Sequence, residues 1–243
     1  MTPPPPQLKA SFDELAANVP ATVGIAIARP ALTEVFSLGS WSSGVAWSTI
    51  KVPLAIAALR RDRPRARDLV VRAITESDNQ ASERLWSQLG EPAEAAERVQ
   101  AVVNEGGDTA TVVESQRRRP GFTAFGQTQW QLDRQARFAA ALPGIGDAAT
   151  VIDLMHRLTP GQRWGLAAKG FAAKGGWGPG LTDGYLVRQF GVLPAHPAHV
   201  GVALAAEANA FEAAVDVLDS MTDWLVGQLP AIASRSVTAP RRQ

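Results

Sequence analysis

Cysteine is absent from the 243 residues, so neither a disulfide framework nor a thiolate-bound metal can be built, and the redox compartment leaves no mark on the sequence. Histidine is almost as scarce. His196 and His199 flank a turn in Pro194-Ala195-His196-Pro197-Ala198-His199, and His156 stands alone. No carboxylate or further histidine lies at ligand spacing from them, so the expectation is no metal and no cofactor. None of the three follows a Gly-x-Ser-x-Gly elbow, which leaves a Ser-His-Asp triad without its usual context. Charged residues make up 19% of the chain and the net charge is +1, so electrostatics offer no case for nucleic acid or an anionic membrane as partner. The run Arg117-Arg118-Arg119 reads as a solvated loop. No apolar stretch reaches the roughly 18 residues of a membrane-spanning helix. The first seven residues lack the charged and apolar regions of a signal peptide and read as a polyproline spacer. Such a tail suits a mature exported domain that has lost its leader; the alternative is a cytoplasmic protein with a frayed end.

What is present describes an ordinary globular chain, 46% hydrophobic and long enough for one domain with an inserted subdomain. Residues 8–18 place Leu8, Phe12 and Leu15 on one helical face. Residues 21–28 then alternate small with β-branched side chains, and 33–38 can return as the antiparallel partner. Helical periodicity covers 48–60, 67–76, 80–89, 92–104, 127–141 and 147–158. Strands are expected at 164–168, 170–174, 185–192 and 199–205, with the Gly-rich 175–180 as a loop. A closing helix over 208–229 carries Phe211, Val215, Leu218, Met221, Leu225 and Leu229 on a common face. The predicted fold is α+β: a five-stranded antiparallel sheet flanked by N- and C-terminal helices, formed by 8–44 and 160–229, with an all-helical subdomain inserted over 45–159. Residues 230–243 read as a disordered tail.

Two motifs carry the chemistry. Ser48-Thr49-Ile50-Lys51 opens an apolar helical run, and helical spacing puts Ser48 and Lys51 on one face, where a neutral lysine can activate a serine hydroxyl. Desolvation by Val52, Leu54 and Ile56 would depress the Lys51 pKa. The plain alternatives are an N-capping serine and a snorkelling surface lysine. Ser77-Asp78-Asn79 follows at the head of the next amphipathic stretch. With only four lysines in the chain, random placement gives roughly 0.2 Ser-x-x-Lys matches and about 0.01 Ser-Asp-Asn matches.

Ser-x-x-Lys, then Ser-Asp-Asn, then the Lys-Gly of Lys174-Gly175-Gly176 resemble the three motifs of class A β-lactamases and penicillin-binding proteins, and the segment 73–85 is especially similar. The resemblance spans roughly 8–229. It implies Ser48 as nucleophile, Lys51 as general base, Ser77 as proton relay and Asn79 as a holder of a substrate amide or of Lys51, with Asp78 fixing its loop. Lys174 would face a substrate carboxylate, and the oxyanion hole would be the backbone N–H groups of Ser48 and a residue just after Gly175, Trp177 being expected. Gly176 and Trp177 are counted with the substrate-binding residues, the Trp177 ring being expected to line the cleft beside Lys174. Lys169-Gly170 is a rival third motif.

Three departures qualify what the resemblance implies. Gly175 stands where the family has a hydroxyl residue. The separation between Ser48 and Ser77 is about half the usual span, implying a lost loop and a more open site. Glu114 is the one candidate for a deacylation base: counted forward from Asp108 it falls about three residues early, and counted back from Thr128 it falls in place but with Arg118 where an asparagine should stand. The resulting expectation is a serine hydrolase or acyltransferase of the penicillin-binding type, acting on a peptidoglycan-type peptide or a β-lactam through an acyl-Ser48 intermediate and turning over β-lactams poorly. The alternative is a catalytically weak relative that binds cell-wall peptide or a protein partner. An exported, cell-envelope location goes with either.

Overall fold

The computed structural model describes residues 2–29, 34–180, 184–195 and 198–233. Strands β1 (Thr22–Arg29), β2 (Glu34–Gly39), β5 (Ala172–Pro179), β6 (Tyr185–Ala195) and β7 (Ala198–Ala208) form one antiparallel sheet in the order β2-β1-β7-β6-β5. The first pair and the last three strands come from opposite ends of the chain, and β1 meets β7 in the middle. Strand β5 is left at an edge, with one row of backbone groups free of the ladder.

Period-two alternation sorts the two faces. Val23, Ile25 and Ile27 of β1, with Val200, Val202 and Leu204 of β7, pack with helices α1 (Pro6–Ala17) and α7 (Phe211–Ala233). Phe12 of α1 meets Trp224 of α7 edge-on, with ring centroids 5.0 Å apart. The intervening Ala26, Ala28, Ala203 and Ala205 face the other way, into the larger core. Their small size is a packing requirement: a Cβ on Gly201 would lie 2.2 Å from the Ala136 carbonyl oxygen of helix α5 (Leu132–Ala141). Small residues on the strands thus let α5 lie close against the sheet.

The helical block comprises α2 (Lys51–Thr75), α3 (Asn79–Gln88), α4 (Pro92–Glu105) and α6 (Ala148–Met155). The two helices expected over 48–60 and 67–76 are one element broken at Asp62, whose φ of −158° and ψ of 87° leave the helical region. Pro64 accounts for the break, since its ring cannot follow a continuous helix and it offers no N–H. The Asp62 carboxylate then accepts the Arg65 N–H at 3.2 Å and starts the second half. The first half, Lys51–Leu59, is buried on every side. A helix apolar all round belongs in a core.

Other elements differ from the sequence expectation. Residues 127–141 are not one helix: a 3-10 turn at Phe125–Gln127 leads to a short strand, β4 (Gln129–Gln131), which pairs with β3 (Ser43–Val45) before α5 begins. Residues 164–168 are not a strand but lie in and beside a 3-10 helix, Gly165–Lys169. Gln189 holds that segment, accepting from the Leu166 N–H and donating to the Trp164 carbonyl, so a side chain takes the place of a ladder partner. The Gly-rich run 175–179 continues β5 rather than ending it. The proline-rich start is not a free spacer, because Pro5 is buried, the Thr2 N–H donates to Val35 and α1 begins at Pro6. Helix α7 extends to Ala233, past the expected boundary at 229, and the remainder of the expected tail lies outside the described residues, as does His196.

Candidate active site

Ser48 lies in a 3-10 turn, Trp47–Ile50, at the mouth of α2. Its hydroxyl is half-buried and is not consumed as a helix cap: the N-cap of α2 is Ile50 and that of the turn is Ala46, neither with a side-chain cap bond. Among the described residues no hydrogen bond engages the Ser48 side chain. The turn runs against edge strand β5 so closely that a Cβ on Gly176 would sit 2.7 Å from the Ser48 nitrogen and 2.9 Å from Cβ of Trp47. Glycine at 176 is therefore what lets the strand backbone approach the serine.

Lys51, one helical turn further on, is buried. Its Nζ reaches the Ser77 carbonyl oxygen, the Ser77 Oγ at 3.3 Å and the Asn79 Oδ1 at 2.8 Å. Burial lowers its pKa to about 7, against a smaller opposing pull from Asp78. Lys51 thus donates to a carbonyl, an amide oxygen and the Ser77 hydroxyl. Lys174, on β5, is fully buried and donates to Ser77 Oγ at 3.0 Å and to its neighbour's Gly175 carbonyl at 2.9 Å. Its pKa falls well below the ordinary lysine value, first through burial and then through the nearby Lys51. Two lysines of lowered basicity thus meet at one serine hydroxyl.

Ser77 is placed by strain and by an anchored neighbour. Its φ of +59° is left-handed, a region costing a non-glycine residue about 1–2 kcal/mol. Asp78 caps α3, accepting from the Ala81 N–H at 3.0 Å, and its other oxygen takes Nε and Nη2 of Arg72. Those bonds hold its carboxyl below the usual carboxylate range and lock the α2–α3 junction. Asn79 opens α3 and turns its carbonyl to Lys51.

The Trp177 ring does not line the cleft. Strand alternation sends Lys174 and Gly176 to the Ser48 side and Gly175 and Trp177 to the opposite face, where the Trp177 ring packs 6.2 Å from Trp164 and 5.6 Å from Phe211. The same alternation explains Gly175. A Cβ there would lie 2.4 Å from the Trp164 ring, so the indole occupies the volume a hydroxyl residue would need. Lys169 forms an ion pair with Asp223 on the surface, remote from Ser77, which disposes of the rival motif.

Glu114 is not brought to Lys51 or Ser77 by any hydrogen bond. Its carboxylate pairs with Arg118 at 2.7 Å and accepts the Gln116 N–H at 2.8 Å. The Arg118 bond is the chief reason its pKa is lowered, making it a weak proton acceptor. Arg117 is likewise occupied, with Glu83, so two of the three consecutive arginines are paired within the protein. Glu114 lines a polar groove of about 540 Å³ with Ser43, Gln127 and Arg134, while its own N–H donates to Thr128 Oγ1, the residue before β4 whose carbonyl accepts the Ala46 N–H. His156 and His199 each bond a backbone carbonyl, of Gly170 and Ala140, and no group of three His, Cys, Asp or Glu among the described residues could hold a metal.

A variant of the class A β-lactamase of the last common ancestor of Gram-negative bacteria superposes with a TM-score of 0.69, covering 91% of this chain and 98% of that one at 20% identity. This chain has the class A β-lactamase fold. The β-lactamase-like architecture matches equally well in the class A β-lactamase from Mycobacterium abscessus, with a TM-score of 0.69 at 15% identity, covering 90% and 98% of the two chains. The β-lactamase from Streptosporangium roseum gives 0.64 at 16% identity over the same shares. No family model matches the sequence, and neither does any curated protein.

Several residues that shape the candidate site escaped the sequence reading: Trp164, Thr49, Gln135, Thr128 and Arg188. Arg188 and Gln189 interrupt an otherwise apolar strand, and Gln135 interrupts the small apolar face of α5. A polar group in the middle of a buried face is the signal that could have found them.

Proposed function

We propose that the protein is a serine hydrolase or acyltransferase of the penicillin-binding type, in which Ser48 attacks an amide or lactam carbonyl and carries the acyl group. The observation that carries this reading is the convergence of two buried lysines of lowered basicity on Ser77, with Ser48 in the turn that leads into Lys51 and packs against the strand that carries Lys174. In the reacting complex the Lys51 amine would turn from Ser77 to take the Ser48 proton as the Oγ–carbonyl bond forms, and Ser77 would relay that proton from Lys51 to the leaving nitrogen as the C–N bond breaks. The oxyanion would be met by backbone N–H groups of Ser48 and of β5 near Trp177, in keeping with the close approach at Gly176.

Release of the acyl group is the weak step. Glu114, tied to Arg118, is poorly suited to activate water, so a β-lactam is held as an adduct rather than turned over. Substrates of this chemistry include a peptidoglycan-type peptide and β-lactams, which would place the protein in the cell envelope. The Trp164 ring in place of a hydroxyl at position 175 favours a second reading, a feeble relative that binds such a peptide without processing it. Covalent labelling separates the two: a mass increase on Ser48 after exposure to a β-lactam or a fluorophosphonate supports the first reading, and an unlabelled, ligand-binding protein supports the second.

A further inference from the structure

We propose that Arg188, acting with Gln135 and Thr49, is the positioning device for Ser48. The inference rests on the reading of Ser48 as nucleophile.

Arg188 lies in the middle of β6 with no exposed surface. Among the described residues no carboxylate pairs with it. A buried guanidinium without a counter-charge is costly, and an apolar side chain of similar volume would fill the space more cheaply. Its hydrogen bonds show what it does instead. Nη1 donates to the carbonyls of Gly44 at 2.9 Å and Val45 at 3.1 Å; Nη2 donates to the Trp130 carbonyl at 3.0 Å and to Gln135 Oε1 at 2.9 Å. The planar group is flanked by the Trp41 ring, 5.2 Å from its centroid. Gln135, also fully buried, passes the connection on by donating from Nε2 to Thr49 Oγ1 at 2.9 Å, and that hydroxyl donates to the Ala46 carbonyl.

The network therefore takes the carbonyls of three consecutive residues, Gly44, Val45 and Ala46, while the Ala46 N–H donates to Thr128 at 2.8 Å. The next residue, Trp47, has φ of +50°, a left-handed conformation that a bulky non-glycine residue avoids. Such a conformation persists where its surroundings over-determine it. Trp47 is the last residue before Ser48, so its backbone angles set where the serine hydroxyl and N–H point. Arg188 faces the same side of the sheet as its cross-strand neighbour Gly176, so one register position fixes both the nucleophile turn and the strand it abuts.

A residue that merely holds the core together and one that positions Ser48 differ in what Arg188→Met does to the chemistry. Stranding four buried acceptors lowers stability in either case, so a role in packing alone predicts a lower melting temperature with labelling at the wild-type rate. If the role is positioning, acylation slows by about 10²-fold, the loss that a misplacement of about 1 Å brings. The test uses a fluorophosphonate probe followed by intact mass, together with hydrogen–deuterium exchange of the peptide spanning 44–54 and the melting temperature. The expected result is slowed labelling and at least about tenfold faster exchange confined to 44–50, with α7 unchanged. Arg188→Lys, which keeps the charge but cannot span both sets of acceptors, should recover part of the rate. Leu225→Ala, buried in α7, should lower the melting temperature and leave labelling at the wild-type rate. Wild-type labelling and exchange in Arg188→Met would overturn the proposal, as would equal slowing in Leu225→Ala. Should Arg188→Met not fold, Gln135→Met and Thr49→Val take its place, and wild-type rates in both overturn it. A wild-type protein that is not labelled at all sinks the nucleophile reading instead, and the exchange arm then decides the positioning claim by itself.

Discussion

Lys51 is where the chemistry is most sharply conditioned. Its pKa of about 7 arises from burial among the apolar residues of α2, so a neutral amine is available near physiological pH. Acylation should rise as pH passes upward through about 7 and level off above it; a probe-labelling rate flat from pH 5.5 to 8.5 would contradict a lysine base. Ser48→Ala and Lys51→Met should each abolish labelling, and the double variant should be no worse, because residues acting as one unit do not lose activity additively. Labelling retained in Ser48→Ala would move the nucleophile elsewhere. The grouping of Lys51, Ser77, Asn79 and Lys174 was legible from the three motifs, whereas no side-chain hydrogen bond among the described residues joins Ser48 to Lys51. The arrangement of Ser77 was not legible, because its left-handed backbone and its double engagement by Lys51 and Lys174 depend on strand β5, nearly a hundred residues away.

At the scale of elements, the edge strand β5 and the 3-10 helix before it are built around one indole. Gly175→Ala drives a methyl group into the Trp164 ring, so a loss on the order of 1–3 kcal/mol is expected from overpacking. Combined with Trp164→Leu, which vacates that volume, the same change should cost much less; thermal or urea melts of the four proteins give the coupling, and strictly additive losses would refute the account. Here the sequence misled for a physical reason. Residues 164–168 have the small and apolar composition of a strand, but Gln189, reaching from β6, takes the Leu166 N–H and the Trp164 carbonyl, and Asp219 of α7 takes the Gly165 N–H. Local pattern cannot register a side chain twenty positions away. The helix breaks were legible in principle, since Pro64 marks one, whereas β3 and β4 are too short for any periodicity to declare them.

Across the whole molecule, both faces of the sheet are committed to core packing and the candidate site gathers two buried amines of lowered basicity. Lys51 and Lys174 bind protons less readily folded than unfolded, so between about pH 7 and the ordinary lysine range the unfolded chain holds more protons. Stability therefore rises with pH in that window, and the urea midpoint should be higher at pH 9 than at pH 7, with a smaller increase in Lys174→Met. An unchanged midpoint would mean that these amines are not desolvated. The architecture itself was legible from the order of strands, helices and strands along the chain. The state of Glu114 was legible only in outline, as a carboxylate followed by arginines; that Arg118 holds it while Arg117 turns to Glu83 required the fold. Loss of a general base costs on the order of 10²–10⁴ in rate, so the central claim is an acyl-enzyme that forms and persists. The direct measurement mixes the protein with a chromogenic cephalosporin and follows absorbance and intact mass together. The account predicts one equivalent of product in a burst and a long-lived adduct on Ser48; sustained turnover at tens per second, lost in Glu114→Ala, would contradict it.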